Sequence, residues 1–83
     1  MNLLYFAWVR QKIGKSEETF ALPAGIATVR ALAGHLRARG GGYGDAFADL
    51  SRLRAAVNQE HVPFDAPVGP DDEVAFFPPV TGG

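Results

Sequence analysis

The residues of this sequence with the clearest chemical potential are the last four, Val80-Thr81-Gly82-Gly83, which directly follow Pro78 and Pro79. Because the two glycines carry no side chains, such a tail can thread a narrow channel and bring its carboxylate to the catalytic groups of another protein. Four residues span about 13 Å when extended, at roughly 3.3 Å each. The two prolines stiffen the base of this segment. We therefore expect residues 80–83 to project from the domain as a flexible C-terminal tail.

The chemistry that such a tail supports takes place on the carboxylate of Gly83. A main-chain carboxylate is ionised at neutral pH, and as an anion it resists nucleophilic attack. It has to be activated first, most simply as an acyl-adenylate formed with ATP, after which a sulfur nucleophile can displace AMP and leave a thiocarboxylate. The sequence contains no cysteine and no nucleotide-binding motif. We therefore expect the chain to bind no cofactor itself and to receive activation by ATP, and sulfur, through partner proteins.

Two other patterns are weaker candidates for chemistry. The glycine-rich segment at residues 40–44 does not predict a phosphate-binding loop, because no Lys-Ser/Thr pair follows it and no strand leads into it. The two histidines, His35 and His61, have no cluster of further metal ligands near them in the sequence, so we expect no metal site.

Length and composition exclude several classes of protein. The chain has 83 residues, of which 47% are hydrophobic, and this fits one small domain whose thin core cannot enclose a deep active site. Its formal net charge of −1 gives no general attraction to nucleic acid or to an acidic membrane. No apolar run is long enough to span a bilayer, and residues 1–10 do not resemble a signal peptide. Because cysteine is also absent, we expect a cytoplasmic protein.

The elements that would position the tail begin with two strands and a helix. The aromatic and aliphatic residues 3–9 predict a strand, and a polar connection around Gly14 leads to a second, alternating strand at residues 17–22. Thr28 is a favourable N-cap, and the apolar stripe of a helix follows it at Val29, Leu32, Ala33 and Leu36. The glycine run that starts at Gly40 ends this helix.

The pattern after the helix predicts more strands. We expect a short helical turn at residues 45–50, a third strand at 53–58, a short edge strand at 61–62 and a last strand at 74–77. The order ββαββ predicts an α+β fold of the β-grasp, or ubiquitin-like, type, in which one main helix packs across one face of a mixed sheet. We expect residues 1–79 to form this domain.

The predicted sheet has two apolar faces and only one long helix to cover them. Alternation along the first strand places Phe6 and Trp8 on the face away from the helix, and Phe77 joins them if the first and last strands are neighbours. Exposed apolar patches of this kind usually bind partner proteins. The alternative is that residues 40–52 fold over this face and bury it.

The C-terminal segment from Asp72 to Gly83, Asp-Glu-Val-Ala-Phe-Phe-Pro-Pro-Val-Thr-Gly-Gly, resembles the C-terminus of the small subunits of molybdopterin synthase. Residues 55–59 look like the central strand of that family. Residues 4–10 are similar to its opening strand, in which an aliphatic and aromatic run leads to Phe-Ala and a nearby Arg. The match covers nearly the whole chain in order and spacing, and it is most specific at residues 72–83.

This resemblance implies a mechanism and a set of partners. An E1-like adenylyltransferase would adenylate Gly83, and a sulfurtransferase system would convert the adenylate to a thiocarboxylate. The tail would then enter the large catalytic subunit of the synthase, in a heterotetramer with two copies of each chain, and donate sulfur to cyclic pyranopterin monophosphate. The catalytic residues would lie on the large subunit. We expect partner contacts at Phe6, Trp8, His61, Phe77, Pro78, Pro79 and Val80, with Thr81 and Gly82 lying in the channel next to Gly83.

Two other functions fit the same fold and the same Gly-Gly terminus. One is the sulfur carrier of thiazole synthesis, although those chains are typically shorter and lack the Phe-Phe-Pro-Pro lead-in found here at residues 76–79. The other is a ubiquitin-like modifier that becomes joined to lysines of other proteins through Gly83.

Overall fold

Five strands form one mixed sheet in the computed structural model of the chain, which describes residues 1–79. In spatial order the strands are β2-β1-β5-β3-β4. Strands β1 and β5 run parallel, and the other neighbouring pairs are antiparallel. The last strand therefore lies at the centre of the sheet. The bounds are β1 (Asn2–Tyr5), β2 (Glu17–Thr19), β3 (Arg54–Val57), β4 (Glu60–Val62) and β5 (Glu73–Phe77).

The helices cover one face of this sheet. They are α1 (Ala7–Ile13), α2 (Val29–Arg37) and α3 (Gly41–Ala46), and a short 3₁₀ turn follows at Leu50–Arg52. Helix α2 is the predicted main helix. Its N-cap is Thr28, whose Oγ1 accepts a hydrogen bond of 3.1 Å from the backbone N–H of Ala31. The predicted α+β class and the β-grasp arrangement are confirmed.

The core lies between the helices and the sheet. The four predicted stripe residues of α2 are fully buried, and they pack against side chains of alternate positions in β1, β3 and β5. Phe47 and Phe76 meet edge to face, with ring centroids 4.9 Å apart. The sheet residues that face this core are Leu3, Tyr5, Ala55, Val74 and Phe76.

The first strand is shorter than predicted. It ends at Tyr5, and Ala7 adopts a left-handed backbone conformation with φ of 53° as the chain turns into α1. The helix buries Val9 and ends at Gly14, whose positive φ of 90° allows its N–H to donate to the carbonyl of Arg10. Because residues 3–9 are apolar on both faces, their pattern could not show where the strand stops. The second strand is also shorter and ends at Thr19.

The glycine-rich segment forms a helix of its own, which the sequence did not predict. Gly40, with φ of 76°, breaks the chain direction after α2, and Gly41 and Gly42 then begin α3. Helix α3 packs against α1 and α2 on the helical side of the sheet, and the following Phe47 is fully buried in the core. Residues 40–52 therefore do not cover the opposite face of the sheet, and that alternative is wrong.

One carboxylate joins the second strand to three other parts of the domain. Glu18 accepts hydrogen bonds from the hydroxyls of Tyr5 and Tyr43 and, at 3.0 Å, from Nη1 of Arg39. Burial by itself would raise the pKa of Glu18, but the hydrogen bonds from Tyr43, Arg39 and Tyr5 outweigh it, and the pKa is lowered. Burial and the hydrogen bond to Glu18 raise the pKa of Tyr5.

We predict that Glu18→Gln destabilises the fold at neutral pH by about 1–3 kcal/mol, because a neutral amide accepts the same three donors more weakly. Because the pKa of Glu18 is lower in the folded state, its charge stabilises the fold at pH values above the ordinary glutamate pKa of about 4.3. This stabilisation is lost as the pH falls through the lowered pKa of the folded state. The difference between wild type and variant in urea unfolding should therefore close in acid. Glu17→Gln, one residue away and exposed, is the control. An equal deficit at acid and neutral pH would contradict the role of the charge.

We predict opposite effects for two glycine-to-alanine substitutions. At Gly42 a Cβ would collide with the backbone carbonyl of Lys12 in α1, so Gly42→Ala should lower the free energy of unfolding by about 1–3 kcal/mol. At Gly34, in the middle of α2, a Cβ has open space, so Gly34→Ala should raise it by roughly 0.5–1 kcal/mol through helix propensity. Thermal and urea unfolding of both variants measure this. Equal stability of the two variants would refute the close approach of α1 and α3.

Candidate functional site

The face of the sheet away from the helices carries a shallow apolar groove. Strand register places Leu4 beside Ala75, Ala75 beside Ala56, and Ala56 beside His61. The groove has a volume of about 360 Å³, and Phe6 and Phe77 also line it. Because two alanines form its floor, the backbone of the sheet is close to the surface here. A partner can therefore approach the central strand closely.

Phe6 is the most exposed large hydrophobic residue among residues 1–79, with 46% of its surface accessible. Its backbone remains extended, and its N–H donates to the carbonyl of Phe76 at 3.2 Å. This hydrogen bond holds Phe6 next to the end of β5. Phe6 therefore lies where the sequence placed it, at the rim of the open face.

Phe77 and His61 form an aromatic pair on the same face. Their ring centroids are 5.2 Å apart, and the ring planes are tilted by 48°. Phe77 is half-buried, whereas His61 is exposed. Pro78 and Pro79 follow directly and are half-buried, and neither has an N–H to continue the strand ladder. The structure thus brings Phe6, His61, Phe77 and the base of the tail together.

Trp8 does not belong to this face, and the predicted position of its side chain is wrong. It lies in α1, where it is half-buried and packs against the core. The guanidinium of Arg52 lies 5.3 Å from the centroid of its ring. The cause is the early end of β1, because a helical residue no longer follows the alternation of a strand.

The predicted tail residues Val80, Thr81, Gly82 and Gly83 lie outside the described residues. The position at which β5 ends is nevertheless clear. Phe77 is the register partner of Arg54 in β3, and Phe76 is the register partner of Tyr5 in β1. The strand that precedes these residues therefore ends at the centre of one end of the sheet, with the end of β1 and the start of β3 beside it.

A hydrogen-bonded clamp at the opposite end of β5 was not recognised from the sequence. Asn58 Nδ2 donates to Asp72 Oδ1 at 3.0 Å, and Asn58 Oδ1 accepts from the N–H of Glu73 at 3.0 Å. The second carboxylate oxygen of Asp72 accepts from the N–H of Gly69 at 2.8 Å. The hydrogen bonds from Asn58 and Gly69 lower the pKa of Asp72. This clamp fixes where the central strand starts.

The sequence did contain a signal for this clamp. Asn58 and Gln59 form a two-residue turn between β3 and β4, with φ of 52° and 70° respectively. Asparagine adopts this left-handed conformation more readily than most residues and favours such hairpin turns. The partner Asp72 is 14 residues further along the chain, so only the fold could show that the two side chains meet.

Metal-binding groups, unpartnered buried polar side-chain atoms and membrane-spanning helices are all absent from residues 1–79. Within residues 1–79 there is no group of three or more His, Cys, Asp or Glu side chains placed to hold a metal ion. Over the same residues, every buried side-chain nitrogen or oxygen has a hydrogen-bond partner. None of the helices in this part of the chain is long and apolar enough to cross a membrane.

Two known proteins are similar to this chain over its full length. The chain is 46% identical to the molybdopterin synthase sulfur carrier subunit of Escherichia coli K12, over 100% of this chain and 99% of that protein. It is 39% identical to the protein of the same name from Haemophilus influenzae, again over 100% and 99% of the two chains.

A solved structure and a family model agree with these relatives. A structure described as subunit 1 of a molybdopterin converting factor from Pyrococcus furiosus is 28% identical, covers 95% of each chain and superimposes with a TM-score of 0.69. The model of the ThiS family matches residues 3–83, which include both terminal glycines. By this match and by its full-length relatives, the chain belongs to the ThiS family.

Proposed function

We propose that this chain is the sulfur carrier subunit of a molybdopterin synthase, and that it carries sulfur as a thiocarboxylate on Gly83. The observation that carries the proposal is the 46% identity to a sulfur carrier subunit of that synthase over the full length of both chains. The terminal Gly82-Gly83 pair, which lies within the family match, supplies the group that such a carrier needs.

The chemistry on Gly83 follows from the reactivity of a carboxylate. A carboxylate oxygen attacks the α-phosphorus of ATP on an E1-like adenylyltransferase, and pyrophosphate leaves. The sulfur of a persulfide, held by a sulfurtransferase, then attacks the acyl carbon, and AMP leaves with the bonding electrons. A thiol finally attacks the sulfurtransferase sulfur of the resulting acyl disulfide, so that a disulfide between the thiol and the sulfurtransferase forms and the thiocarboxylate leaves. ATP and both sulfur reagents belong to the partners, so the carrier supplies only the acyl group.

The described fold supports this role by presenting the tail from a fixed base. Strand β5 is paired on both sides, and the clamp of Asn58 and Asp72 fixes its start. Only the residues after Pro79 then need to enter a partner's channel. The open face beside them, with Phe6, His61 and Phe77, is the surface on which the large catalytic subunit docks.

The large subunit completes the synthase. In our proposal two carriers and two large subunits form a heterotetramer in the cytoplasm, and the thiocarboxylate sulfur is transferred to cyclic pyranopterin monophosphate there. An exposed apolar groove with aromatic residues at its rim is the kind of surface that such a stable complex buries.

We predict that incubation with the adenylyltransferase, ATP, a persulfide donor and a thiol adds the mass difference between sulfur and oxygen to Gly83. Intact-mass spectrometry with C-terminal fragmentation measures this change, and a reaction without ATP is the control. Deletion of Gly83 should abolish both the mass change and molybdopterin formation while thermal unfolding stays the same. An unchanged mass in a system that sulfurates another carrier would refute the proposal, and a ladder of lysine conjugates would instead indicate a protein modifier.

We predict that Phe6→Ala weakens binding to the large subunit by about 2 kcal/mol or more, because aromatic anchors dominate such interfaces. The side chain is 46% exposed in the free chain, so its loss should change the stability of the fold little. Isothermal titration calorimetry measures the affinity. Ile26→Ala, which truncates a half-buried apolar residue in the loop before α2, is the control. Equal affinities for the two variants would exclude Phe6 from the interface.

A further inference from the structure

A notch at one edge of the sheet is separated from the end of β5 by β3 and has no role in the chemistry on Gly83. Strand β4 ends at Val62, which is paired with Ala55, because Pro63 has no N–H to extend the ladder. Strand β3 begins one residue earlier in register, at Arg54. The outer edge of β3 is therefore uncovered at Arg54, and a cavity of about 450 Å³ lies there.

Two arginines line this notch. The Arg54 side chain is exposed, and its Nη1 donates to the carbonyl of Leu53 at 2.8 Å, which holds the guanidinium at the notch. Within residues 1–79, Arg54 forms no ion pair with an acidic side chain. Arg30 bonds to Asp65 at 3.2 Å, but the two side chains are 59% and 82% exposed. Such an exposed ion pair contributes little, so another carboxylate can replace Asp65 at small cost.

The wall of the notch between the arginines is apolar. Besides the two arginines, the notch is lined by Leu50, Ser51, Leu53, Val62, Pro63 and Phe64, and of these only Ser51 is polar. Phe64 is held in place by Phe76, with ring centroids 6.4 Å apart, and the Arg30 guanidinium lies 5.9 Å from its ring. The backbone N–H groups at the start of α2 are already used, since Arg30 donates to the carbonyl of Phe64. An acidic ligand would therefore bind the guanidinium groups and not the helix amides.

We propose that this notch binds an acidic segment, with apolar residues beside its carboxylates, of the catalytic subunit that receives the tail. Position and charge both support this occupant. Arg54 is the register partner of Phe77, two residues before Pro79, so a protein that encloses residues 80–83 also borders the notch. Two guanidinium groups above an apolar wall match carboxylate and apolar side chains. The proposal rests on the proposed function and adds a second contact surface, which shares no lining residue with the groove of the open face.

The test compares Arg54→Glu with Arg37→Glu, which makes the same change of charge at an exposed position at the end of α2. Titration calorimetry measures binding to the purified catalytic subunit. At an ionic strength of about 0.05 M, Arg54→Glu should bind about five- to tenfold more weakly than wild type, and the difference should shrink at about 1 M, where charges are screened. Arg37→Glu should stay within about twofold of wild type.

Each outcome of this experiment decides between named alternatives. Equal affinities of the two variants, or an effect of Arg54→Glu on the adenylyltransferase alone, would overturn the notch proposal while leaving the carrier function intact. Failure of the wild-type chain both to bind the catalytic subunit and to yield molybdopterin would instead overturn the proposed function. If thermal unfolding shows that Arg54→Glu is unfolded, the neutral Arg54→Gln takes its place, with a smaller loss in the same direction.

Discussion

The pairing of β5 on both sides is the constraint on which the rest of this structure depends. Strand β1 lies on one side of it and β3 on the other, so the segment that leads to the tail is the most enclosed strand of the sheet. The side chains of Val74 and Phe76, which belong to β5, are fully buried in the core. A pull on the tail is therefore resisted by two hydrogen-bonded ladders and by the core. In the proposed function, this resistance would keep the domain folded while a partner holds its C-terminal end.

Contacts on the helical face of the sheet also keep the domain rigid. Glu18 ties the edge strand β2 to Tyr5 of β1, to Arg39 and to Tyr43 of α3. These contacts hold the glycine-rich helix on the helical side, where it cannot cover the opposite face. Since the helices have one place to pack, the apolar groove at Leu4, Ala56 and Ala75 stays uncovered. The hydrogen bonds of Glu18 and the uncovered groove both follow from the packing of all the helices on one face of the sheet.

The sequence predicted the elements whose patterns are local. Helix α2 carried both its N-cap Thr28 and a regular apolar stripe, and β5 was bounded by an acidic turn and two prolines. Both were found within one or two residues of the predicted bounds. The presence of Phe6 and Phe77 on one face followed from alternation together with the expected pairing of the first and last strands, which the structure shows. The Gly-Gly end was also visible in the sequence, although its geometry lies outside the described residues.

The wrong predictions share a cause, which is that the deciding contacts are distant in sequence. The chain turns at Ala7 into α1, which packs against α3 and buries Val9 in the core, and this turn removes Trp8 from the open face. Gly41 and Gly42 are poor helix formers, yet they lie in α3, and at Gly42 the backbone of α1 comes too close for any side chain. Helix propensity and hydrophobic periodicity describe single segments, so neither could show that α1 and α3 pack closely against each other.

The central place of the last strand also sets the order of events during synthesis. Strands β1 and β3 emerge from the ribosome first, but they have no common neighbour until Phe77 has been made. A chain that stops before this point exposes two unpaired strand edges, the kind of surface that leads to aggregation and degradation. The fold is therefore completed only when translation has passed Phe77, the last residue of the central strand.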